Sequence, residues 1–342
     1  MPPLPVIEFF VSRRHSVGWR VRVCTVAPKT LLPAFLSDSL VLQLQVRRSS
    51  SVRAYYELMK PRIVYLLDFT AVMAFLVAAS NINVVRLVAV VVSGTLASGG
   101  AGALNCYIDR DVDRTMGRTS WRPIPQGEIS PVRALLFGLG LIGISAVISA
   151  LFLPLLAGVF IVLGAAIYVL FYTKYLKRRT SLNIVLGGSA GSCAPLAGWA
   201  AATGQLTAPA PWLMALLVFV WTPSHFWALA MRAVGDYSKA GIPMLPVVVG
   251  EKKTALYIAL NTFLLVPVSL AFVLPSLGGF GIIYLVTAGL LGLGMILVDL
   301  RLVTNPTKAQ AWTAFKFSSP YLAIVFLAMV LDVKLLPHYL PF

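Results

Sequence analysis

Charge is what this 342-residue sequence has least of: Asp, Glu, Lys and Arg make up 12% of it, while 58% of the residues are hydrophobic. A typical soluble domain carries about twice that share of charge, so an ordinary water-soluble fold is excluded and a bilayer is the natural solvent. Cysteine is scarce as well. Cys24, Cys106 and Cys193 form neither a C-x-x-C pair nor a disulfide framework, which leaves packing as their role and removes a structural zinc or a redox centre built on them. Acidic residues number 12 against 28 Lys and Arg, for a net charge of +16. The N-terminus has no apolar core followed by a small-residue cleavage site, so it is not read as a secretory signal.

What the sequence does have is long apolar runs. Nine stretches approach the roughly 20 residues needed to cross a membrane: Ile63–Ser80, Val84–Leu104, Arg133–Phe152, Leu155–Tyr172, Leu182–Ala202, Trp212–Met231, Ala255–Leu274, Gly281–Leu300 and Tyr321–Leu336. The expected fold is an all-α, polytopic bundle. Of the 28 basic residues, 26 lie before the first run or in alternate junctions, and only Arg86 and Lys334 fall on the other side. The positive-inside bias then places the N-terminus in the cytoplasm, and the charge follows topology rather than a nucleic-acid surface. Residues 53–342 read as one membrane domain. Residues 1–52 read as a basic tail, either disordered, an organellar presequence, a basic arm on anionic lipid, or sequence upstream of the true start.

The cytoplasmic connections Cys106–Val132 and Arg232–Thr254 are long and polar, whereas those on the far side are short, which puts any active face on the cytoplasmic side. Leaving the second run, Asn105, Asp109 and Asp113 fall four apart, on one face if the helix continues. Such oxygen donors suit a hard divalent cation that also takes substrate phosphates. Arg110, Arg114, Arg118 and Arg122 follow, and guanidinium groups suit bidentate phosphate contact. A salt-bridged helix end would also place Asp and Arg this way. Four of the twelve acids nevertheless sit in this one loop (Asp109, Asp111, Asp113, Glu128), where topology requires only basic residues. The second long loop supplies Asp236, and Lys60, Arg62, Lys177 and Arg178 flank the runs as further cations. His225, in Trp221-Thr-Pro-Ser-His-Phe-Trp227, and Asp68 are ionisable groups at membrane depth and are functional candidates on that ground. Glycine-rich stretches at Ser98–Ala103 and Gly187–Ser192 suit close helix packing, or room for a bulky ligand.

These strings together resemble the UbiA superfamily of intramembrane prenyltransferases, and within it the haem O synthase branch. The resemblance runs from about Tyr55 to Leu336 and rests on Lys60-Pro-Arg62; Asn105-x3-Asp109-Arg-x2-Asp113 with Arg122-Pro-x-Pro-x-Gly127; Tyr172-Thr-x3-Lys177-Arg178; Trp221-x3-His225-Phe-Trp227; and Asp236-Tyr237-x2-Ala240-Gly-Ile-Pro-Met-Leu-Pro246. It implies transfer of a farnesyl group from farnesyl diphosphate to a vinyl group of haem B, with water addition, giving haem O and diphosphate. It further implies a magnesium ion on Asp109, Asp113 and Asp236, with Asn105 in support. Lys60, Arg62, Arg118, Arg122, Lys177 and Arg178 would lie around the diphosphate, and His225 and Trp227 at the haem. The wider superfamily repeats two carboxylates four apart in its second motif, and position 240 here is alanine. The branch implies a prokaryotic plasma membrane or the mitochondrial inner membrane, and hand-over to haem A synthase or an oxidase assembly factor. Two other readings stay open: a quinone-precursor or lipid acceptor on the same scaffold, and a transporter using His225 and Asp68. Against transport, polar residues gather in cytoplasmic loops and no pair of broken helices recurs in the two halves.

Overall fold

The computed structural model describes residues 10–13, 19–22 and 51–336. The chain divides into two units, Met1–Arg48 and Ser49–Phe342. In the first, strand Phe10–Arg13 pairs antiparallel with Trp19–Arg22, Phe10 standing opposite Arg22. The rest of the basic tail, with the readings attached to it, lies outside the described residues.

In the second unit nine helices are long and apolar enough to cross a membrane, among the described residues. In order the spans are Pro61–Ala78, Val84–Ile108, Pro131–Phe152, Leu155–Leu176, Asn183–Thr203, Pro209–Arg232, Glu251–Val273, Ile282–Thr304 and Lys308–Leu335. Their ends follow local chemistry. Asn83 and Ser130 accept hydrogen bonds from the backbone N–H groups of Arg86 and Arg133, capping the second and third spans. Pro61, Pro131 and Pro209 occupy early helical positions where a missing N–H costs nothing. Asp332, at the far end of the ninth span, accepts from the N–H groups of Gly281 and Tyr284 at 2.5 and 3.1 Å, and so satisfies the open start of the eighth. Lys334 does the converse, donating to the carbonyl of Ala79 just past the end of the first span.

The ninth span differs most from expectation, starting at Lys308 instead of Tyr321. Lys308, Gln310, Lys316 and Pro320 dilute its hydropathy, but Trp312, Phe315 and Ser318 pack onto the sixth span and keep that half helical. The fourth span ends in a wide π-helical segment, Ile167–Leu176.

Burial ranks the spans. The sixth is 72% buried over its apolar window and runs through the middle; the third is 17% buried and turns Leu136, Leu139, Val147 and Leu151 outward, as a lipid-facing helix must. Small residues set the closest approaches. A Cβ added at Gly198 would stand 1.9 Å from the carbonyl oxygen of Ala71, and one at Gly100 would stand 2.7 Å from that of Gly138. The first and fifth spans, and the second and third, therefore meet backbone to backbone. Of the two small-residue runs, Gly100 serves this close packing, while Gly102, Gly187, Gly188 and Gly191 line a cavity.

Candidate active site

Three connections at one end of the bundle converge: residues 109–130, 177–182 and 233–250. The helical hydrogen-bond ladder of the second span passes through Asp109, whose N–H donates to the Asn105 carbonyl at 2.9 Å and whose carbonyl accepts from Asp113 N–H at 2.8 Å. The short helix Arg110–Thr115 follows. Asn105, Asp109 and Asp113 are thereby brought together as expected, and all three are at most 2% exposed.

Carboxylates so deeply buried must be paired, and cations from other segments meet them. Lys177 forms an ion pair with Asp109 Oδ2, which also accepts from Asn105 Nδ2 at 2.9 Å. Arg122 places Nη1 2.9 and 2.7 Å from the two oxygens of Asp113. Arg178 forks onto Asp111 at 2.8 and 2.7 Å and approaches Asp109 Oδ1 to 3.7 Å. That fork holds the Asp111 carboxyl at about 2, below the usual carboxylate range. The same pairing raises the Arg178 guanidinium. Asp109 Oδ1 is buried and has no hydrogen-bond donor among the described residues.

The π-helical turn is what carries Lys177 to this place. Its wider step lets Lys177 N–H donate to the Tyr172 carbonyl and Thr173 Oγ1 donate to the Tyr168 carbonyl, each five residues back. Thr173 also accepts from Asn105 Nδ2 at 2.9 Å, linking the second and fourth spans. Lys60 closes the arrangement. Its ammonium donates to Asn105 Oδ1 and, at 3.3 Å, to the Tyr168 hydroxyl. It is the one non-glycine residue with positive φ among those described (φ 56°), a conformation costing on the order of 1–2 kcal/mol that these side-chain bonds offset. Burial pushes its pKa below the usual lysine value, against the opposing pull of Asp109 and Asp113.

Asp236 lies on the helix Val234–Lys239 and accepts from the backbone N–H of Arg118 at 3.2 Å. The Arg118 side chain donates to Tyr237 Oη at 2.8 Å and lies over that ring, tying the two long loops together. The four evenly spaced arginines do not share a face, because the helix stops at Thr115. Arg110 folds back on Tyr107, Arg114 is exposed, Arg118 faces the Asp236 loop and Arg122 faces Asp113.

Below this cluster lies an apolar cavity of about 480 Å³, walled by the first, second, fourth, fifth, sixth and ninth spans. Lys60, Arg62, Tyr168 and Tyr172 line it near the polar cluster; Asp68 and His225 line it deeper. Asp68 accepts a 2.6 Å bond from Thr95. Phe226 is in the wall. Trp227 is not, and belongs instead to the buried cluster of Met116, Tyr237 and Met244 beneath the Asp236 loop.

Among the described residues no three His, Cys, Asp or Glu side chains converge tightly enough to hold an ion unaided. Magnesium does not require that, since it keeps waters and takes substrate phosphates beside one or two carboxylates. The buried, acceptor-only pair Asp109 and Asp113, with Oδ1 of Asp109 lacking a donor, fits such a cation. Tyr172 and Thr173 entered the sequence reading only within the Tyr172-Thr-x3-Lys177-Arg178 string, and Tyr168 was not singled out, although a polar residue near an apolar run's end beside basic residues is a usable signal. Asp299 was missed too: it is buried in the eighth span and accepts from Thr262 at 2.6 Å.

The chain belongs to the UbiA prenyltransferase family, whose profile matches residues 66–328. Within it, the protoheme IX farnesyltransferase of Metallosphaera sedula is 45% identical over 278 residues, covering 81% of this chain and 95% of that protein. The protoheme IX farnesyltransferase of Gloeobacter violaceus is 46% identical over 288 residues, covering 84% and 93%. Among solved structures, a UbiA homologue from Archaeoglobus fulgidus bound to GPP and Mg²⁺ superposes with a TM-score of 0.59 at 18% identity, covering 81% of this chain and 99% of that one. A structure described as that of a digeranylgeranylglyceryl phosphate synthase gives 0.68 at 22% identity, covering 82% and 98%. Both share the fold. The protein is a multi-pass integral membrane prenyltransferase.

Proposed function

We propose that this chain transfers the farnesyl group of farnesyl diphosphate to a vinyl group of haem B, with addition of water, releasing haem O and diphosphate. The observation that carries the reading is the identity of about 45% to protoheme IX farnesyltransferases across more than four fifths of the chain. The geometry is compatible with it: an apolar cavity for a prenyl chain and a flat acceptor lies directly beneath a polar, cation-rich cluster.

In this reading Asp109 and Asp113, with Asn105 and Asp236 in support, hold a magnesium ion that, when bound, neutralises the diphosphate as a Lewis acid. Lys177 and Arg122 exchange their carboxylate partners for the oxygens of the leaving group, and Arg178, Arg118, Lys60 and Arg62 supply positive charge around it. As the allylic C–O bond breaks, its electron pair leaves with the diphosphate. The vinyl π electrons then form the new bond to the farnesyl carbon, and water adds to the cation left beside the porphyrin ring, releasing a proton. The apolar wall keeps other water away from the allylic cation, and the faces of Tyr168, Tyr172 and Phe226 stabilise it. His225 contacts the haem, and Trp227 supports the loop that presents Asp236. The host membrane, a prokaryotic plasma membrane or the mitochondrial inner membrane, and hand-over to haem A synthase or an oxidase assembly factor, belong to the same proposal.

The test is to incubate membranes containing the protein with haem B, farnesyl diphosphate and magnesium, and to identify the extracted haems by mass. The wild type should form haem O; an Asp109→Asn, Asp113→Asn variant at equal expression, or chelation of the magnesium, should abolish it. Prenylation of a quinone precursor or a lipid in place of haem would overturn the acceptor.

A further inference from the structure

We infer that His225 ligates the iron of the haem acceptor through Nε2, and that Ser318 is the positioning residue that sets the ring for it. The inference rests on haem being the acceptor and goes further, by assigning the ligand atom and the group that prepares it.

His225 sits seven residues inside the C-terminal end of the sixth span, about 10 Å deep at 1.5 Å per residue, and lines the cavity. Its ring is clamped. Trp221 stacks on one side with centroids 4.3 Å apart and planes 22° from parallel; Phe315 of the ninth span lies 4.4 Å away at 30°. Phe226 meets the ring edge-on at 5.1 Å. Rotation about the ring axis would break these contacts and the bond at Nδ1, which lies 2.6 Å from Ser318 Oγ.

That bond has a direction. Ser318 has a single hydroxyl proton, and its Oγ stands 2.9 Å from the carbonyl oxygen of Phe315, which can only accept. The hydroxyl therefore donates to the carbonyl, and Nδ1–H donates to the hydroxyl. The opposite assignment would set two lone-pair oxygens against each other at 2.9 Å. The neutral ring then carries its lone pair on Nε2, which has no hydrogen-bond partner among the described residues. With Ser318 on the Nδ1 side, the rings of Trp221 and Phe315 packed close to the imidazole and His225 in the cavity wall, Nε2 belongs to the edge left for the cavity. A neutral imidazole whose second nitrogen is held by a hydrogen bond is the form that binds haem iron. Trp221 donates Nε1–H to the carbonyl of Ser318 at 2.7 Å, fixing the serine's own backbone against the same helix.

Purified wild type, His225→Ala and Ser318→Ala are titrated with ferric haem B and, in parallel, with iron-free protoporphyrin IX, following the Soret band and electron paramagnetic resonance. The wild type should show an imidazole-ligated iron. His225→Ala should lose that signature and regain it on addition of free imidazole, while Ser318→Ala should weaken ligation about ten- to a hundredfold. Protoporphyrin IX should bind all three alike, because it offers no iron. An unchanged iron spectrum in His225→Ala would overturn the inference, as would equal loss of both porphyrins, which would mean that the histidine only shapes the wall. Haem O formation is scored separately. Its absence with an intact His225-dependent spectrum sinks the transferase reading alone, and its presence with an unchanged spectrum in His225→Ala sinks the ligation alone.

Discussion

Removing Lys177 tests whether the buried carboxylates are held by cations from distant segments. In Lys177→Met the fully buried Asp109 keeps only the 2.9 Å bond from Asn105 and a looser approach of Arg178 at 3.7 Å, while its Oδ1 already lacks a donor. Breaking a buried ion pair costs about 3–5 kcal/mol, because the surviving charge is left desolvated. Arg178 returns part of that, so the expected loss is about 2–3 kcal/mol. In the double variant Lys177→Met, Asp109→Asn no charge is stranded, and the new side-chain amide at position 109 still pairs with Asn105, so most of the loss should be recovered. Thermal unfolding in detergent without substrate should therefore rank the wild type near the double variant, with the single variant well below. Haem O formation should be lost in both, which separates stability from function. A single variant as stable as wild type, or a double variant no more stable than the single, would refute the account of Asp109 as a buried, charged, Lys177-dependent carboxylate.

Gly198→Ala should destabilise by about 2–3 kcal/mol, since the clash is with the backbone of the first span and no rotamer relieves it. Gly289→Ala, where nothing lies within 4 Å of the new methyl, is the matched control and should be neutral or slightly stabilising in the same unfolding assay. Asp111→Asn should cost no more than about 0.5–1 kcal/mol at neutral pH, because both partners of the Arg178 fork are substantially exposed and solvent screens the pair. Since the folded-state carboxyl is held near 2, below its unfolded value, that difference should be full above about pH 4 and fade as pH falls toward 2. Unfolding midpoints compared at neutral pH and near pH 2 check it, and a gap that widened on acidification would contradict the sign.

The sequence by itself determined the solvent, the nine crossings and the convergence of Asn105, Asp109 and Asp113 at the end of the second span, and its Lys and Arg bias carries the expectation of an active face. Each of these follows from a property carried residue by residue: transfer free energy, the loop bias of Lys and Arg, and the 3.6-residue period. The same reasoning fell short where a segment's neighbours decide the outcome. The ninth helix starts at Lys308 because the sixth span packs against its polar half, and the arginines every four residues separate because the helix ends at Thr115. Trp227 lies off the cavity wall although it is two residues from His225, because successive helical positions point about 100° apart. Which cation meets which carboxylate was also illegible: Lys177 and Asp109 are 68 residues apart, joined only because a π-helical turn and the packing of the second and fourth spans place them together. The tautomer of His225 was decided the same way, by Ser318 on another helix 93 residues away. Local free energies select the helices and their orientation in the bilayer; long-range pairing depends on how those helices pack, and only the tertiary structure specifies that.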